Sequence, residues 1–486
     1  MASHTKESAR IYTTAHTTYS GKAETPAALA ESTEICFRDD VYEASGSGEG
    51  GGTGGGRATK GLSMPLASIF LIAEMAGAGI LSLPHAVANT GWVGVPLMMV
   101  MSLGVGFAGT RLGKCWVILE QRWPEYRAPC RRPYQAIAFR ALGRPGQIAA
   151  EVSLTLTLSG AAIVYLLLAA QVIHDLMGAA VPLSQCEWCL VLGVLLLPTT
   201  WLSTPKDFWG APLLALGATL LACLVVVVEV VLDKDHEPPE FTAPTFKSFF
   251  LGFGAILFAL GGSSIFPTIQ NDMKNRAQFP DSVVITFLVL LAIYLPVCAI
   301  TYGILGSNGL PANILQAVRG PAVKVTQVFI LCHFLFAFAI VLNPVNQALE
   351  SVFKVPADVF GIKRVFLRTC VMVVIILIGL TIPDFSKILD LIGGSTVVLM
   401  SFVLPPLCFL RLNAATTLTA FHTASSSCAL RILPKWEVAT LVVVMVVGVV
   451  GSIASTWSAL DAIISEQSFN TTCFSPKTFL YRSTAS

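Results

Sequence analysis

Long apolar runs recur along the chain, separated by short polar stretches. They fall at about 64–89, 92–110, 150–173, 187–202, 208–231, 248–270, 282–305, 323–343, 367–383, 388–410 and 437–460. A helix needs roughly 20 apolar residues to cross a bilayer, and these runs supply that length. The pattern therefore predicts an all-α polytopic membrane protein with about 11 transmembrane helices. Between the second and third runs, residues 119–149 are basic. Here Tyr134 to Gly143 line up apolar residues on one helical face, with Gly143 as a stop. This segment reads either as an amphipathic helix on the membrane interface or as a solvated basic loop. Asn343-Pro344 near the end of the eighth run reads as a helix terminus.

Composition strengthens this picture. Of 486 residues, 54% are hydrophobic and 12% charged, about half the charge of a soluble domain. The net charge of +2 gives no footing for nucleic acid. Cys223, Cys298, Cys332, Cys370 and Cys408 sit inside apolar runs and behave there as small hydrophobes. The first sixty residues differ, with eight glycines between 46 and 56. They lack the apolar surface to fold alone, so residues 1–61 are expected to form a disordered cytosolic tail. No short apolar stretch behind basic residues follows Met1, so the first run is expected to serve as its own insertion signal.

Orientation follows from Lys and Arg. With the N-terminus cytosolic, the loops on its side carry sixteen of them and the opposite side seven. Eleven spans then place residues 461–486 outside the cell or in a lumen. The sequon at Asn470-Thr471-Thr472 lies there, as glycosylation requires. Cys186 and Cys189 form a C-x-x-C at the outer end of the fourth run. No second ligand pair suits a metal, and a disulfide from one of them to Cys473, on the same side, is an option.

The candidate chemistry lies in a repeat. Ala76 to Pro84 in the first run matches Leu260 to Pro267 in the sixth: small residues, then a proline five positions after Gly79 or Gly262. The two prolines are 183 residues apart, about the spacing of the two runs. Spans 1–5 (about 64–231) and 6–10 (about 248–410) thus read as copies of a five-helix unit, inserted with opposite topology, and 437–460 as an extra helix. Gly disfavours the helix and Pro removes a donor. In lipid the freed backbone groups need partners, and paired breaks in matching helices mark a midplane transport site.

These residues carry a family resemblance. GAGILSLPHAVANTGWVG at 77–94 and SSIFPTIQNDMKN at 263–275, followed by FPDS at 279–282, resemble the first- and sixth-helix motifs of the amino acid/auxin permease family. The family includes vesicular inhibitory, proton-coupled and sodium-coupled amino acid transporters. The resemblance covers about 62–460. It implies a leucine-transporter-type fold of eleven spans, a five-plus-five inverted repeat with broken helices 1 and 6, and amino acid cargo. The sodium-coupled branch tends to carry Asn where this chain has Ala73, so the resemblance points to protons.

A zwitterion offers a carboxylate and an ammonium. Backbone N–H groups at Gly79, Ile80 and Leu81 suit the first. Carbonyls at Glu74 to Gly77 and Phe258 to Gly261 suit the second, with Ser263 and Ser264 beside them. The expected substrate site is thus Gly77, Ala78, Gly79, Ile80, Gly261, Gly262, Ser263 and Ser264. Glu74 is a carboxylate within a span, costly unless it has a function. Burial disfavours its charged form, which makes it a candidate proton carrier; His333, in the eighth run, is a second. The runs hold no catalytic triad, metal-ligand cluster or phosphate loop, so neither enzyme chemistry nor a cofactor is expected. The reading is a secondary active, proton-coupled amino acid transporter working by alternating access. A sodium-coupled carrier and an amino acid sensor with little flux are the alternatives. Plasma membrane and lysosomal or vesicular membrane are equally open.

Overall fold

The computed structural model describes residues 61–128, 130–178, 180–201, 211–233, 238–355, 361–423, 433–465 and 473, with backbone alone at 211, 212 and 415–423. The N-terminal tail up to residue 60 and the sequon at Asn470 lie outside the described residues.

The described chain is helical. Span 1 is α1 (Met64–Met75) and α2 (Ala78–Thr90); α3 (Gly94–Arg122), α4 (Pro133–Met177), α5 (Gln185–Trp201) and α6 (Ala211–Leu232) follow. Span 6 is α7 (Phe246–Ala259) and α8 (Phe266–Asn271). Then come α9 (Phe279–Leu305), α10 (Pro321–Val352), α11 (Ile362–Thr381), α12 (Phe385–Ile392), α13 (Leu404–Thr423) and α14 (Lys435–Ile464). Two π-helical segments, Gly393–Val397 and Leu399–Val403, join α12 to α13 into one span. Among the described residues, eight stretches are long and apolar enough to cross a membrane unbroken. The shorter apolar helices Met64–Met75 and Phe246–Ala259 lead into the two breaks, and α5 is a further helix of 17 residues.

Local chemistry sets the boundaries. Proline opens α1, α4, α9 and α10 within the first two positions, where its missing donor costs nothing. Thr245 and Ser248 form a capping box at the start of α7, and Asp384 caps α12 by accepting from the Ser386 amide. Gly306 closes α9 with φ near 67°, a conformation that favours glycine.

Two expectations need correction. Residues 133–139 do not form a solvated loop. Tyr134 to Phe139 are buried in the bundle, and the Tyr134 hydroxyl donates to the Met400 carbonyl at 2.7 Å. An apolar helical face does not distinguish lipid from protein as its partner. Gly143, at φ 72°, does separate this piece from the rest of α4. Asn343-Pro344 is no terminus: α10 runs through Pro344 to Val352.

The outside is a belt of exposed apolar side chains, among them Leu103, Leu214, Leu288 and Ile453, as lipid contact requires. Charged pairs gather near the helix ends on the N-terminal face. Arg111 meets Glu437 at 2.5 Å, tying α3 to α14, and Arg276 pairs with Glu120. Glu350 on α10 forms an ion pair with Arg364 at 3.1 Å and accepts a hydrogen bond from Arg368 at 2.6 Å, both on α11. Arg368 also donates to the Thr200 carbonyl of α5. All three side chains are about 95% buried or more. Removing one member of such a cluster leaves a buried charge uncompensated, at about 3–5 kcal/mol. Glu350→Ala is expected to lower the melting midpoint of the purified protein sharply, while Ala at the exposed Arg411 leaves it unchanged.

On the opposite face, Cys186 at the head of α5 is disulfide-bonded to Cys473. The Cys473 amide donates to the Leu380 carbonyl of α11 at 3.1 Å. The bond selects Cys186 from the C-x-x-C; Cys189 is a buried free thiol.

Candidate functional site

Both breaks sit mid-span and meet. In span 1 the helix stops at Met75; Ala76 (ψ 44°) and Gly77 (φ −96°, ψ −132°) leave helical geometry, and α2 restarts at Ala78. In span 6, α7 stops at Ala259 and α8 restarts at Phe266 after a turn held by Gly261 N–H to Phe258 O (3.0 Å) and Ile265 N–H to Gly262 O (3.1 Å). α1 and α7 enter from opposite faces, so their carbonyl-rich ends converge at the middle. The amide end of α2 starts beside them.

α2 and α7 pack without room to spare. A Cβ placed on Gly79 would lie 2.6 Å from the Ala259 Cα, and one on Gly252 would lie 2.5 Å from the Ala86 carbonyl oxygen. One side chain braces both breaks from behind: the Tyr294 hydroxyl of α9 lies 3.1 Å from the Met75 carbonyl and 3.4 Å from the Ala259 carbonyl. These are the last residues of α1 and α7. Tyr294→Phe removes that brace and keeps the ring; about a tenfold fall in uptake is expected, the size of one buried hydrogen bond lost, measurable by initial-rate uptake.

The breaks open onto a cavity with about 60 Å³ of room for water centres. Six of the eight expected substrate residues line it: Gly77, Ala78, Gly79, Gly261, Gly262 and Ser264. Ile80 and Ser263 do not; both are buried behind it, and the Ser263 hydroxyl has no hydrogen-bond partner among the described residues. Ile80 points its side chain into packing and offers the cavity at most its amide. Glu74 also lines the cavity, as the one carboxyl side chain there among the described residues.

The far wall comes from residues that sequence reasoning missed. Thr157 and Tyr165 belong to α4, Val341 to α10 and Val397 to the first π-helical segment. Thr157 and Thr396 share a hydrogen bond of 2.7 Å, which fixes α4 against the π-helical turn. A Cβ on Gly261 would lie 2.6 Å from Val397 Cγ1. The Tyr165 hydroxyl lies against the span 1 break: a Cβ on Gly77 would fall 2.7 Å from its oxygen. His333 lies outside this cavity. It is buried beside Tyr165, ring centroids 6.0 Å apart, and lines a second, smaller cavity that Glu74 also reaches.

Known proteins resemble the chain over most of its length. It is 24% identical over 412 residues to amino acid transporter AVT1B of Arabidopsis thaliana, covering 81% of this chain and 69% of that one. It is 24% identical over 422 residues to AVT3C of the same plant, covering 82% and 90%. Among solved structures it is similar to Mhp1, a nucleobase-cation-symport-1 family transporter in a closed conformation with bromovinylhydantoin bound. That match has 16% identity and a TM-score of 0.48 over 85% of this chain and 96% of that one. The profile of the family described as "Transmembrane amino acid transporter protein" matches residues 60–458. That span takes in both broken helices and the wall around their cavity, and the chain belongs to this family.

Proposed function

We propose that the chain carries amino acids across a membrane by alternating access, driven by protons, with the substrate held at the paired breaks. One observation carries this reading. The carbonyl ends of α1 and α7 and the amide end of α2 meet at one cavity at mid-depth. Such an arrangement fits a zwitterion. The α2 amides from Ala78 to Ile80 take the carboxylate, where backbone dipoles favour negative charge. Carbonyls at Glu74 to Gly77 and Phe258 to Gly261 take the ammonium, with the Glu74 carboxylate close by. The Ser264 hydroxyl adds a partner. The remaining wall is largely apolar, with no Lys or Arg among the described residues, which favours neutral side chains. The relatives named as amino acid transporters support the cargo class.

On the N-terminal face, backbone contacts tie the entry of α1 to the exit of α8. Just ahead of α1, Leu62 exchanges two backbone hydrogen bonds with the chain past α8: its amide to the Asp272 carbonyl at 2.8 Å, and its carbonyl from the Lys274 amide at 2.9 Å. The Arg276–Glu120 pair locks the same loop to α3. Release toward this face means parting these contacts.

The N-terminal face is the cytosolic one in this reading. The Lys and Arg bias supports it, and so does the disulfide, which belongs on an oxidising side. In a Cys473→Ser variant, a membrane-impermeant maleimide is expected to label Cys186 from the extracellular or luminal face; labelling from the cytosolic face alone would reverse the topology. The transport reading is tested by uptake of a labelled amino acid mixture at acid and neutral pH, with and without sodium. Saturable, acid-stimulated, sodium-indifferent uptake is expected. Binding without flux would make the protein a sensor, and sodium-dependent flux would replace the proton.

A further inference from the structure

We infer that Glu74, Tyr165 and His333 hold one water molecule between them, and that this water passes the transported proton between Glu74 and His333 in a chamber separate from the substrate. The inference rests on reading the first cavity as the substrate site.

A second cavity, with about 20 Å³ of room for water centres, lies behind the first. One water needs about 10–15 Å³ by that measure and two to four polar partners. Three polar side chains line this cavity, Glu74 of α1, Tyr165 of α4 and His333 of α10, and the rest of the lining is apolar. His333 is 8% exposed, and its Nε2 has no hydrogen-bond partner among the described residues. A buried polar atom left so calls for a partner. A further acceptor arises from the sequence: Pro344 has no N–H to give the carbonyl of Ile340, and Ile340 lines this cavity.

The two cavities share Glu74, Tyr165 and Val341. Only Glu74 and Tyr165 present polar groups to both. That geometry gives coupling a physical form. A protonated Glu74 meets the substrate ammonium poorly, and a carboxylate meets it well. When the ammonium arrives, the Glu74 O–H bond breaks and its proton goes to the water. The water gives one of its own protons to the Nε2 lone pair of His333. The products are a carboxylate facing the ammonium and an imidazolium in the small chamber. Substrate and one proton are then bound together, and the Tyr165 hydroxyl orients the water between the two groups. Other titratable groups on the packed elements are Tyr294 and Cys298 of α9 and Cys223 of α6, in the layer behind Tyr165. Among the described residues, no Lys or Arg lines either cavity.

The test uses the purified full chain in liposomes holding a pH-sensitive dye, with labelled neutral amino acids outside. Uptake and proton entry are read across a range of external pH for the wild type, His333→Gln and Tyr165→Phe. The wild type is expected to bring in about one proton per amino acid. Both variants are expected to lose acid stimulation by about tenfold or more, with protons per amino acid falling towards zero. Variants that keep the wild-type pH profile and proton ratio overturn the inference and leave the substrate site standing. A wild type that moves amino acids without protons overturns the proton-coupled reading as well. Should His333→Gln fail to fold, Tyr165→Phe, which deletes one hydroxyl, decides the matter alone.

Discussion

Gly79→Val is expected to abolish uptake while protein still reaches the membrane. A Cβ on Gly79 would fall 2.6 Å from the Cα and 2.8 Å from the Cβ of Ala259. The obstacle is backbone, and it cannot swing aside as a side chain would. Valine adds two methyl groups beyond that Cβ, so α2 must shift away from the end of α7. Such overpacking costs about 1–3 kcal/mol or more, which is roughly a 10- to 100-fold loss if it falls wholly on the bound state. The same shift moves the α2 amides away from the facing carbonyls, so the geometry for a zwitterion is lost too. Gly262→Val is expected to be milder. There a Cβ would meet the Met75 side chain, Sδ at 2.5 Å and Cγ at 2.7 Å, and methionine is flexible enough to yield in part. Initial-rate uptake normalised to surface-biotinylated protein reads both. Wild-type uptake by Gly79→Val would remove the α2–α7 crossing from the mechanism.

Glu74→Gln is the second large effect. The amide keeps the shape of the carboxyl and loses its charge and its proton. A hydrogen bond to a charged partner contributes about 1.5–3 kcal/mol, so substrate affinity is expected to fall roughly 10- to 100-fold on that account. Proton entry with substrate is expected to stop, because glutamine has no acidic proton to release when the ammonium arrives. The two losses separate experimentally: half-saturation reports the ammonium contact, and a dye inside the liposome reports the proton. A variant with unchanged half-saturation and an unchanged pH profile would show that Glu74 faces the cavity without taking part.

Much of the architecture was legible because lipid allows so few structures. All eleven apolar runs correspond to helices, whole or broken, including the short ones that became α5 and α11, and eight helical stretches among the described residues are long and apolar enough to cross a membrane. The breaks were legible because Gly and Pro act locally, through backbone freedom and a missing donor. Glu74 stood out because a carboxylate is rare inside an apolar run. Tyr165 and Tyr294 were not legible. An aromatic residue in a spanning helix usually packs, and only the fold shows that their hydroxyls reach the break at Gly77 and the ends of α1 and α7. Thr157 and Val397 are ordinary in sequence and become cavity wall because α4 and the π-helical turn happen to face the breaks. Ile80 and Ser263 show the converse limit: proximity along the chain to a break does not say which side chain turns inward. The burial of residues 133–139 was missed for a related reason, since the periodicity that makes a helix amphipathic is silent on what covers its apolar face.

The most direct test of the central claim is labelled amino acid flux in liposomes holding the purified protein, with an acid exterior and no sodium, comparing wild type with Gly79→Val. The account predicts saturable accumulation by the wild type, collapsed by a protonophore, and flux by Gly79→Val no greater than in protein-free liposomes. Equal accumulation by the two proteins, or none by a folded wild type with any amino acid in the mixture, would contradict it.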